Sequence, residues 1–585
     1  MHASSRTGGS LQIDPRDGPR FLHLAASIGD SDALNLILSD GLDVNVVNEF
    51  DETAILFAFR SGNVQVVPFL IQRGAHLGIA SSNGETPLHW LISINPDELD
   101  AIRSILLTHV DRRSLEMRCR PLHWFHRTLS PQGTPLDTAT NAGRIDLVSI
   151  LIALDADPFM ESNEMESPIV QAVSHHRVDL IEEFLKYDHV RARVNDYVGG
   201  GTLLYHALYC ATHYRLMIEH GHERESVSSD TLRLLIKNGA RLDPIDTYER
   251  NALQVAVSFS TAKEVELLLE LGCHELVNSS NHLNPPPLLS AMRSGKRDLF
   301  KILYDRGADT HLWFDKRSIR HWCACDRVNG LFVAHLLGDR RDDIDTESRD
   351  DDGVTPFQLA VLENNFPVAD LFLQQGGDPY KLTTRGTTAL GEVITSSDHH
   401  SIQGLKYLIQ KDPKNYIVQP RFNVTALHYA AHLSDFMGDY LTNRSKFIFL
   451  LRTFHEEEHL HARTTAVGAL PGGQTPLHYA CQAGNYFAAS ELLLAGSKID
   501  IKDDGGLTPL DWARKTAENF EEEDVEVMNF ELKRDELSTL ESLRGIIDLL
   551  ESWAEKNRRN VAEEVNEVEK ELDGLKFSQF GFPLI

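Results

Sequence analysis

The alternation of apolar and polar positions is clearest toward the carboxyl end of the chain. Thr475 and Pro476 open a run of apolar residues at helical spacing, and Gly484 follows that run. A hydroxyl residue followed by proline starts a helix, and a left-handed glycine ends one. Residues 488–494 are apolar along one side and precede Gly496. The pattern therefore predicts two short helices joined by a tight turn.

The same pattern repeats at a fixed interval along the chain. Thr475 and Thr508 begin equivalent runs 33 residues apart, and Arg20, Thr53 and Thr86 are spaced by the same 33 residues. A helix pair of this length does not bury its apolar face alone and is stable only when it stacks on a copy of itself. We therefore predict an array of stacked helix pairs in place of one compact core.

The residues that open each unit carry a family resemblance. The runs TPLHYA, which starts at Thr475, and TPLDWA, which starts at Thr508, resemble the signature of ankyrin repeats. The resemblance implies an all-α solenoid of stacked helix-turn-helix units with short β-hairpin fingers, closed by capping helices at its carboxyl end. Ankyrin-repeat proteins mostly bind other proteins. In its size and irregularity the array is similar to those of filamentous fungi, some of which are encoded beside secondary-metabolite genes.

The repeat pattern also predicts how the chain is divided. We expect a disordered leader over residues 1–16 and about 14 repeats over residues 17–516, several of them degenerate. Residues 517–576 are acidic with helical periodicity and are expected to form a carboxyl-terminal cap, followed by an apolar tail at 577–585. Three insertions interrupt the expected array, near residues 108–132, 217–229 and 430–445.

Composition limits the classes of partner and the cellular compartments that are expected for the protein. The net charge of −29 disfavours binding to nucleic acid and to acidic membrane surfaces, although it permits a basic protein partner. No apolar run is long enough for a membrane helix, and the first residues lack the apolar core of a signal peptide. Six cysteines, widely spaced apart from Cys323 and Cys325, do not suggest a disulfide framework. We therefore expect a soluble intracellular protein of the cytoplasm, the nucleus or both.

The first insertion is the most unusual segment for an acidic protein. It carries a group of basic and aromatic side chains, namely Arg112, Arg113, Arg118, Arg120, Trp124, Phe125 and Arg127. Arginine and tryptophan are frequent anchors of protein interfaces, so the loop is a candidate recognition patch. The alternative, which we favour, is that the aromatic side chains pack the loop onto its own repeat.

Finger tips are the other candidate contact positions, because residues there vary without disturbing the stack. By alignment to the repeat, the tips fall at residues 45–48, 80–83, 247–250 and 502–504. They supply the candidate contact residues Asn48, Asn83, Arg250 and Asp503.

Two motifs suggest metal chemistry. Residues 455–459, His-Glu-Glu-Glu-His, match the H-E-x-x-H pattern of zinc hydrolases. The preceding apolar run is expected to be an outer helix that ends there, so the two imidazoles need not share a face. His321, Cys323 and Cys325 form a second cluster, but one C-x-C without a matching pair is a poor zinc signature.

We call the segment that opens each repeat, such as residues 475–478, its corner. The family resemblance implies that the histidines at the corners are structural and bond the neighbouring main chain and the threonine hydroxyl. They are His23, His89, His428 and His478.

The favoured function is a non-catalytic scaffold or adaptor that binds other proteins and needs no cofactor. The alternative within binding is a regulator that sequesters a transcription or signalling factor, with a possible link to fungal secondary metabolism. An alternative from another class is a zinc hydrolase that uses His455 and His459. No phosphate-binding loop, nucleophile elbow or kinase motif is present in the sequence.

Overall fold

The computed structural model is built from pairs of helices in two compact units, Met1–Ala308 and Asp309–Ile585. The residues it describes are 17–120, 131–161, 166–213, 224–338, 347–398, 400–414, 416–433, 440–466, 471–522 and 532–555. In each pair we refer to the first helix as inner and the second as outer.

The first unit contains eight helix pairs. Their helices, with two short connecting helices, are α1 (Gly18–Ile28), α2 (Ser31–Ser39), α3 (Ala54–Arg60), α4 (Val67–Gln72), α5 (Leu99–His109), α6 (Arg112–Glu116), α7 (Pro135–Ala142), α8 (Ile145–Ala153), α9 (Pro168–Ser174), α10 (Val178–Leu185), α11 (Asp188–Arg191), α12 (Leu203–His213), α13 (Arg224–Lys237), α14 (Ala252–Phe259), α15 (Ala262–Glu270), α16 (Pro287–Arg293) and α17 (Arg297–Asp305). Short 3₁₀ helices occupy Val64–Val66, Pro87–Ser93, Pro96–Glu98 and Cys273–Leu276.

The second unit contains six helix pairs and two small hairpins. Its helices are α18 (Ile319–Cys325), α19 (Gly330–Gly338), α20 (Pro356–Leu362), α21 (Phe366–Gln374), α22 (Ala389–Thr395), α23 (Ser401–Lys411), α24 (Ala426–His432), α25 (Tyr440–Thr453), α26 (Glu457–Leu460), α27 (Pro476–Ala483), α28 (Tyr486–Leu494), α29 (Pro509–Glu522) and α30 (Leu532–Glu555). Strand β1 (Trp313–Phe314) pairs antiparallel with β2 (Arg317–Ser318), and β3 (Ile417–Gln419) pairs with β4 (Val424–Thr425). A 3₁₀ turn occupies Pro420–Phe422.

Inner helices such as α7 start and stop with the residue types that the repeat pattern indicates. Thr134 caps α7 with its hydroxyl, the Asp137 carboxylate returns a bond to the Thr134 main chain, and Pro135 occupies the first turn. Gly143 then ends the helix in the left-handed conformation, with φ of 70°. Such reciprocal capping satisfies donors that every helix start leaves without an intrahelical partner.

The third inner element departs from this pattern. It is a 3₁₀ helix over Pro87–Ser93 and not an α-helix. Asn95 and Pro96 follow it closely, and the residue before a proline is disfavoured in the α conformation. The chain is extended at Asn95 and already at Ile94, and a short 3₁₀ helix takes the place of the longer helix.

Stacking between repeats supplies the core. Within each unit the inner helices pack side by side, as α1 does on α3 and α24 on α27. Small residues such as Ala430 and Ala480 are fully or nearly fully buried between the inner helices. The larger apolar side chains fill the space between inner and outer helices, with Phe184, Phe300, Phe357 and Phe372 fully buried. Each unit is thus a stack of helix pairs, and the predicted all-α class is confirmed.

Fingers connect one pair to the next and are joined to each other through the main chain. The Ser82 amide donates to the Phe50 carbonyl at 2.9 Å, the Thr384 amide to Asp352 at 3.1 Å and the Asp504 amide to Gly472 at 2.9 Å. Two fingers contain the β1–β2 and β3–β4 hairpins, whereas most others are irregular turns. Successive fingers therefore keep a defined spacing.

Corner histidines join several repeats to the next. The Thr425 amide and hydroxyl both donate to Nδ1 of His428, at 3.2 and 2.7 Å. Since Nδ1 accepts, the proton is on Nε2, which donates to the Gln474 carbonyl at 3.0 Å. His89, His321 and His478 repeat this geometry with the carbonyls of Gly133, Val354 and Leu507.

A second link between repeats was not predicted from the sequence. In or just before several outer helices, a side chain donates to the last carbonyls of the inner helix in the preceding repeat. The ammonium of the fully buried Lys446 donates to Val393 at 3.0 Å and to Ile394 at 3.1 Å. Lys296, Asn365 and Asn485 make equivalent bonds. These bonds satisfy carbonyls that a helix end leaves without a partner.

Several predicted segments lie wholly or partly outside the described residues. These are the leader at 1–16, the centres of all three insertions and the chain after residue 555. The boundary expected between residues 516 and 517 falls within α29, so one helix runs across it. Helix α30 packs on α28 and α29 as the outer helix of the last described pair.

We expect His428 to make stability depend on pH. Burial lowers the pKa of His428 to about 4 from 6.5. Between pH 6.5 and 4 the His428 imidazole is therefore protonated in the unfolded chain but neutral in the folded chain. The free energy of unfolding consequently falls as the pH drops from 6.5 to 4. The slope is about 1.4 kcal/mol per pH unit for this residue.

His428→Gln should remove this component, because Gln358 occupies an equivalent corner and makes the corresponding bonds. The measurement is the urea midpoint of wild type and variant between pH 7 and pH 4.5. An identical pH slope for both proteins would contradict the assignment.

Lys446→Met should lower the free energy of unfolding by about 2–4 kcal/mol, because it leaves buried carbonyls without donors. The matched control is Lys414→Met at an exposed position, for which we expect a change within about 0.5 kcal/mol. Urea unfolding of both variants compares the two sites. Equal effects would show that the ammonium bonds are not important for stability.

Candidate protein-interaction surface

The described arginines of the first insertion make separate contacts. Arg112 and Arg113 are exposed on α6, where the Arg112 Nε is 2.8 Å from Glu116 on the same helix. Arg118 donates to the Glu161 carbonyl. The main chain of Arg120 is joined to Asn83 by bonds of 3.1 and 3.2 Å. Trp124, Phe125 and Arg127 lie outside the described residues.

Two of the predicted finger residues organise their own fingers. The Asn48 side chain accepts from the amides of Phe50 and Glu52 at 2.9 and 3.0 Å. Asp503 is buried, and its carboxylate accepts from the amides of Gly505 and Leu507 and from the Trp512 indole. The Asp503 side chain is therefore used within the finger, and its contact with a partner stays a prediction.

The H-E-x-x-H stretch does not lie on one helix. His455 follows the end of α25, where its Nδ1 lies 3.0 Å from the Arg452 carbonyl, whereas His459 is within α26. The His459 ring packs edge-on against Tyr416, with ring centroids 4.7 Å apart. A zinc hydrolase of this class needs both histidines on one helical face. The two side chains are instead in separate elements.

The second candidate metal cluster is also part of the packing. Cys323 is fully buried on α18, and burial raises the pKa of its thiol to about 12. His321 is a corner histidine whose Nε2 donates to Val354 at 2.9 Å. Across the described residues, no group of three or more His, Cys, Asp or Glu side chains has an arrangement that would hold a metal ion.

A more coherent surface lies on the adjacent fingers that precede α12 and α14. The Thr247 amide donates to the Gly200 carbonyl at 3.2 Å, and the Thr202 amide donates to Ile245 at 2.8 Å. These bonds hold the two fingers side by side. Tyr197 lies on the first finger and Tyr248 on the second.

Asp246 shapes the second finger from inside. Its buried carboxylate accepts from the amides of Tyr248 and Arg250 at 3.0 and 2.8 Å. The second carboxylate oxygen is 2.6 Å from the Arg250 Nε. The Arg250 charge is therefore neutralised within the finger, and the predicted contact residue holds the finger in place.

Aromatic side chains form a continuous row beside this finger. Tyr205 and Tyr209 stack on α12 with centroids 5.4 Å apart, and Tyr209 meets Phe259 of α14 edge-on at 4.9 Å. The Arg250 guanidinium lies 5.3 Å from the Phe259 ring and 5.5 Å from Tyr248. We call Tyr197, Tyr205, Tyr209, Tyr248 and Phe259 the tyrosine surface.

Two members of this surface are strongly exposed. Tyr248 is 64% exposed and Tyr197 is 48% exposed, although the Tyr197 hydroxyl donates to the Asp246 carbonyl at 3.4 Å. Exposed tyrosines held in fixed positions are typical of protein interfaces, because they offer large contact areas at a low entropic cost. Sequence analysis singled out Arg250 but not the tyrosines, although Tyr205 and Tyr209 have helical spacing.

A second apolar surface lies at the outer side of the first repeat. Phe21, Leu24, Ile28 and Leu36 of α1 and α2 are exposed around a shallow groove of about 280 Å³. It is the side on which a preceding repeat would stack in an array of this kind.

Comparison with known proteins agrees with the repeat pattern. The family profile described as "Ankyrin repeats (3 copies)" matches residues 22–124 and 224–313, and the profile "Ankyrin repeat" matches residues 472–504. The chain is an ankyrin-repeat protein. In this family, repeats generally mediate protein–protein interaction.

Similar proteins match only parts of this ankyrin-repeat protein. The ankyrin repeat domain-containing protein SAT10 of Stachybotrys chartarum is 26% identical over 332 residues, 49% of this chain and 16% of SAT10. The E3 ubiquitin-protein ligase KEG of Arabidopsis thaliana is 22% identical over 336 residues, 55% of this chain and 19% of KEG. The chain therefore matches less than a fifth of either relative. The match to SAT10 agrees with the predicted resemblance to fungal proteins.

Among solved structures, the ankyrin repeat domain of human ASB11 is 22% identical, with a TM-score of 0.30, over 44% of this chain and 97% of that chain.

Within the described residues, no helix combines the length and apolarity needed to span a membrane.

Arg250→Met should destabilise the second finger by about 2–3 kcal/mol, because it leaves the buried Asp246 carboxylate without its cation. Adding Asp246→Asn should restore part of this loss, since asparagine keeps an oxygen for the two amides. Urea unfolding and hydrogen exchange of residues 241–251 provide the measurement. No gain from the second substitution would contradict this account.

Proposed function

We propose that the protein is a non-catalytic scaffold whose partner protein binds the tyrosine surface. The observation that carries the proposal is the exposure of Tyr197 and Tyr248 on fingers that main-chain bonds hold side by side. The main chain that carries both tyrosines is therefore held in place before a partner arrives, so that binding orders few backbone groups. The neighbouring repeats act as a rigid support.

A binding role, in place of a catalytic one, is supported by the use of the reactive side chains. Cys323 and His321 take part in packing and in bonds between repeats, and His459 packs against aromatic rings. We propose that the protein acts inside the cell, in the cytoplasm or the nucleus, without binding nucleic acid or membrane. The net charge of −29 supports this proposal.

We also propose the chain organisation expected from the sequence. A leader at 1–16 precedes the repeats, and an acidic cap and an apolar tail follow them to residue 585. The described fourteen helix pairs support an array as the main part of the chain.

The test compares two matched double variants in affinity capture. Immobilised full-length protein retains partners from a lysate of cells that express it, and mass spectrometry quantifies them. We expect Tyr197→Ser with Tyr248→Ser to reduce the retained partner by about tenfold, because tyrosine anchors carry much of the energy of an interface.

The control is Tyr380→Ser with Tyr486→Ser, which removes two tyrosines of similar exposure outside the tyrosine surface. We expect it to retain the partner. Urea unfolding of both variants tests that each still folds. A partner that is lost equally from both, or from neither, would show that this surface is not the binding site.

A further inference from the structure

We propose that the partner of the tyrosine surface is a basic segment of a protein, which places arginine or lysine side chains between Tyr197 and Tyr248. This inference rests on the proposed function, and it adds the chemistry of the partner. Three features of the two fingers carry it: unpaired carboxylates, a neutralised cation and tyrosine rings open to solvent.

The carboxylates around the two exposed tyrosines exceed the cations. Asp243 and Glu249 are exposed on the second finger and form no ion pair with any described residue. Glu161 is a third carboxylate, placed so that a Cβ atom on Gly199 would lie 3.5 Å from its Oε1. The one arginine of the row, Arg250, is already paired with Asp246 at 2.6 Å. Two further cations lie nearby, Arg241 on the second finger and Arg118, which donates to the Glu161 carbonyl. Three carboxylates therefore face two cations, and the surface has a small negative balance.

The effect of these charges reaches the tyrosines. Partial burial raises the pKa of Tyr197, and the negative charges of Asp246, Asp243 and Glu249 raise it further. A potential that disfavours a phenolate at this position favours a cation. The raised pKa of Tyr197 therefore agrees with the excess of carboxylates that the positions of the side chains show independently.

Arg250 provides an internal example of the contact that we propose. Its guanidinium lies 5.5 Å from the Tyr248 ring centroid and 5.3 Å from Phe259. Cations within about 6 Å of an aromatic face are attracted by the ring quadrupole. Because Tyr248 is 64% exposed, its solvent side remains open for a second cation from a partner.

Other partner classes fit the surface less well. An acidic peptide or a nucleic acid would place negative charge beside Asp243 and Glu249, and like charges at an interface oppose binding. A purely apolar segment would leave the three carboxylates desolvated without partners, which is unfavourable. A basic segment uses both the rings and the carboxylates.

The experiment measures peptide binding to the full-length chain by fluorescence anisotropy. The probes are two labelled synthetic peptides, four repeats of Gly-Ser-Arg and four repeats of Gly-Ser-Glu. We expect the arginine peptide to bind at least about tenfold more tightly than the glutamate peptide. Asp243→Asn with Glu249→Gln should weaken binding of the arginine peptide by about fivefold.

The matched control separates local recognition from the attraction of the whole acidic chain. Asp97→Asn with Glu98→Gln removes the same two carboxylate types from exposed positions near α5. Each double variant removes two negative charges from the chain, so non-specific attraction predicts equal losses. We expect the control to change arginine-peptide binding by less than about 1.5-fold.

Equal losses in the two variants, or no preference for the arginine peptide, would overturn the inference. A different result would contradict the proposed function, namely that Tyr197→Ser with Tyr248→Ser does not change the amount of partner captured. If capture depends on the tyrosines but not on Asp243 and Glu249, the surface binds protein and the basic partner is excluded.

Discussion

The bond from the helix corner of one repeat to the carbonyl of the next is the constraint on which this structure depends. At His428, one imidazole nitrogen accepts from the start of its own helix while the other donates across the repeat boundary. A single neutral side chain thus sets both the beginning of a helix and the register of its neighbour. Gln254 and Gln358 meet the same requirement with an amide, because it also offers one acceptor and one donor.

The carboxyl ends of the inner helices are bonded by side-chain ammonium and amide groups of the next repeat. Carbonyls at a helix end carry partial negative charge, so ammonium and amide donors suit them. Lys446 serves here although lysine is rarely buried, and the half-buried Lys296 does the same, because two or more carbonyls surround each ammonium. Both ends of an inner helix are therefore bonded to an adjacent repeat, and the stack is maintained without large side chains between inner helices.

This division of roles leaves the surface of the fingers available for binding. The corner, the helix ends and the buried faces are committed to stacking, whereas Tyr197 and Tyr248 are not required by it. Even so, the fingers beneath them are rigid, since Asp246 binds two amides and Arg250 from inside. An interaction surface of this kind combines a fixed support with side chains that are free to match a partner.

The sequence by itself determined the helix starts, the 33-residue spacing and the stacking of the repeats, because capping and periodicity are local properties of the chain. It also indicated that residues 455–459 cross a helix end. Only the tertiary structure decided that Asp503 faces inward, that Lys446 is a buried donor and that Tyr197 and Tyr248 lie on adjacent fingers. Those three features depend on which residues of different repeats become neighbours. The pattern of a single repeat does not specify these contacts.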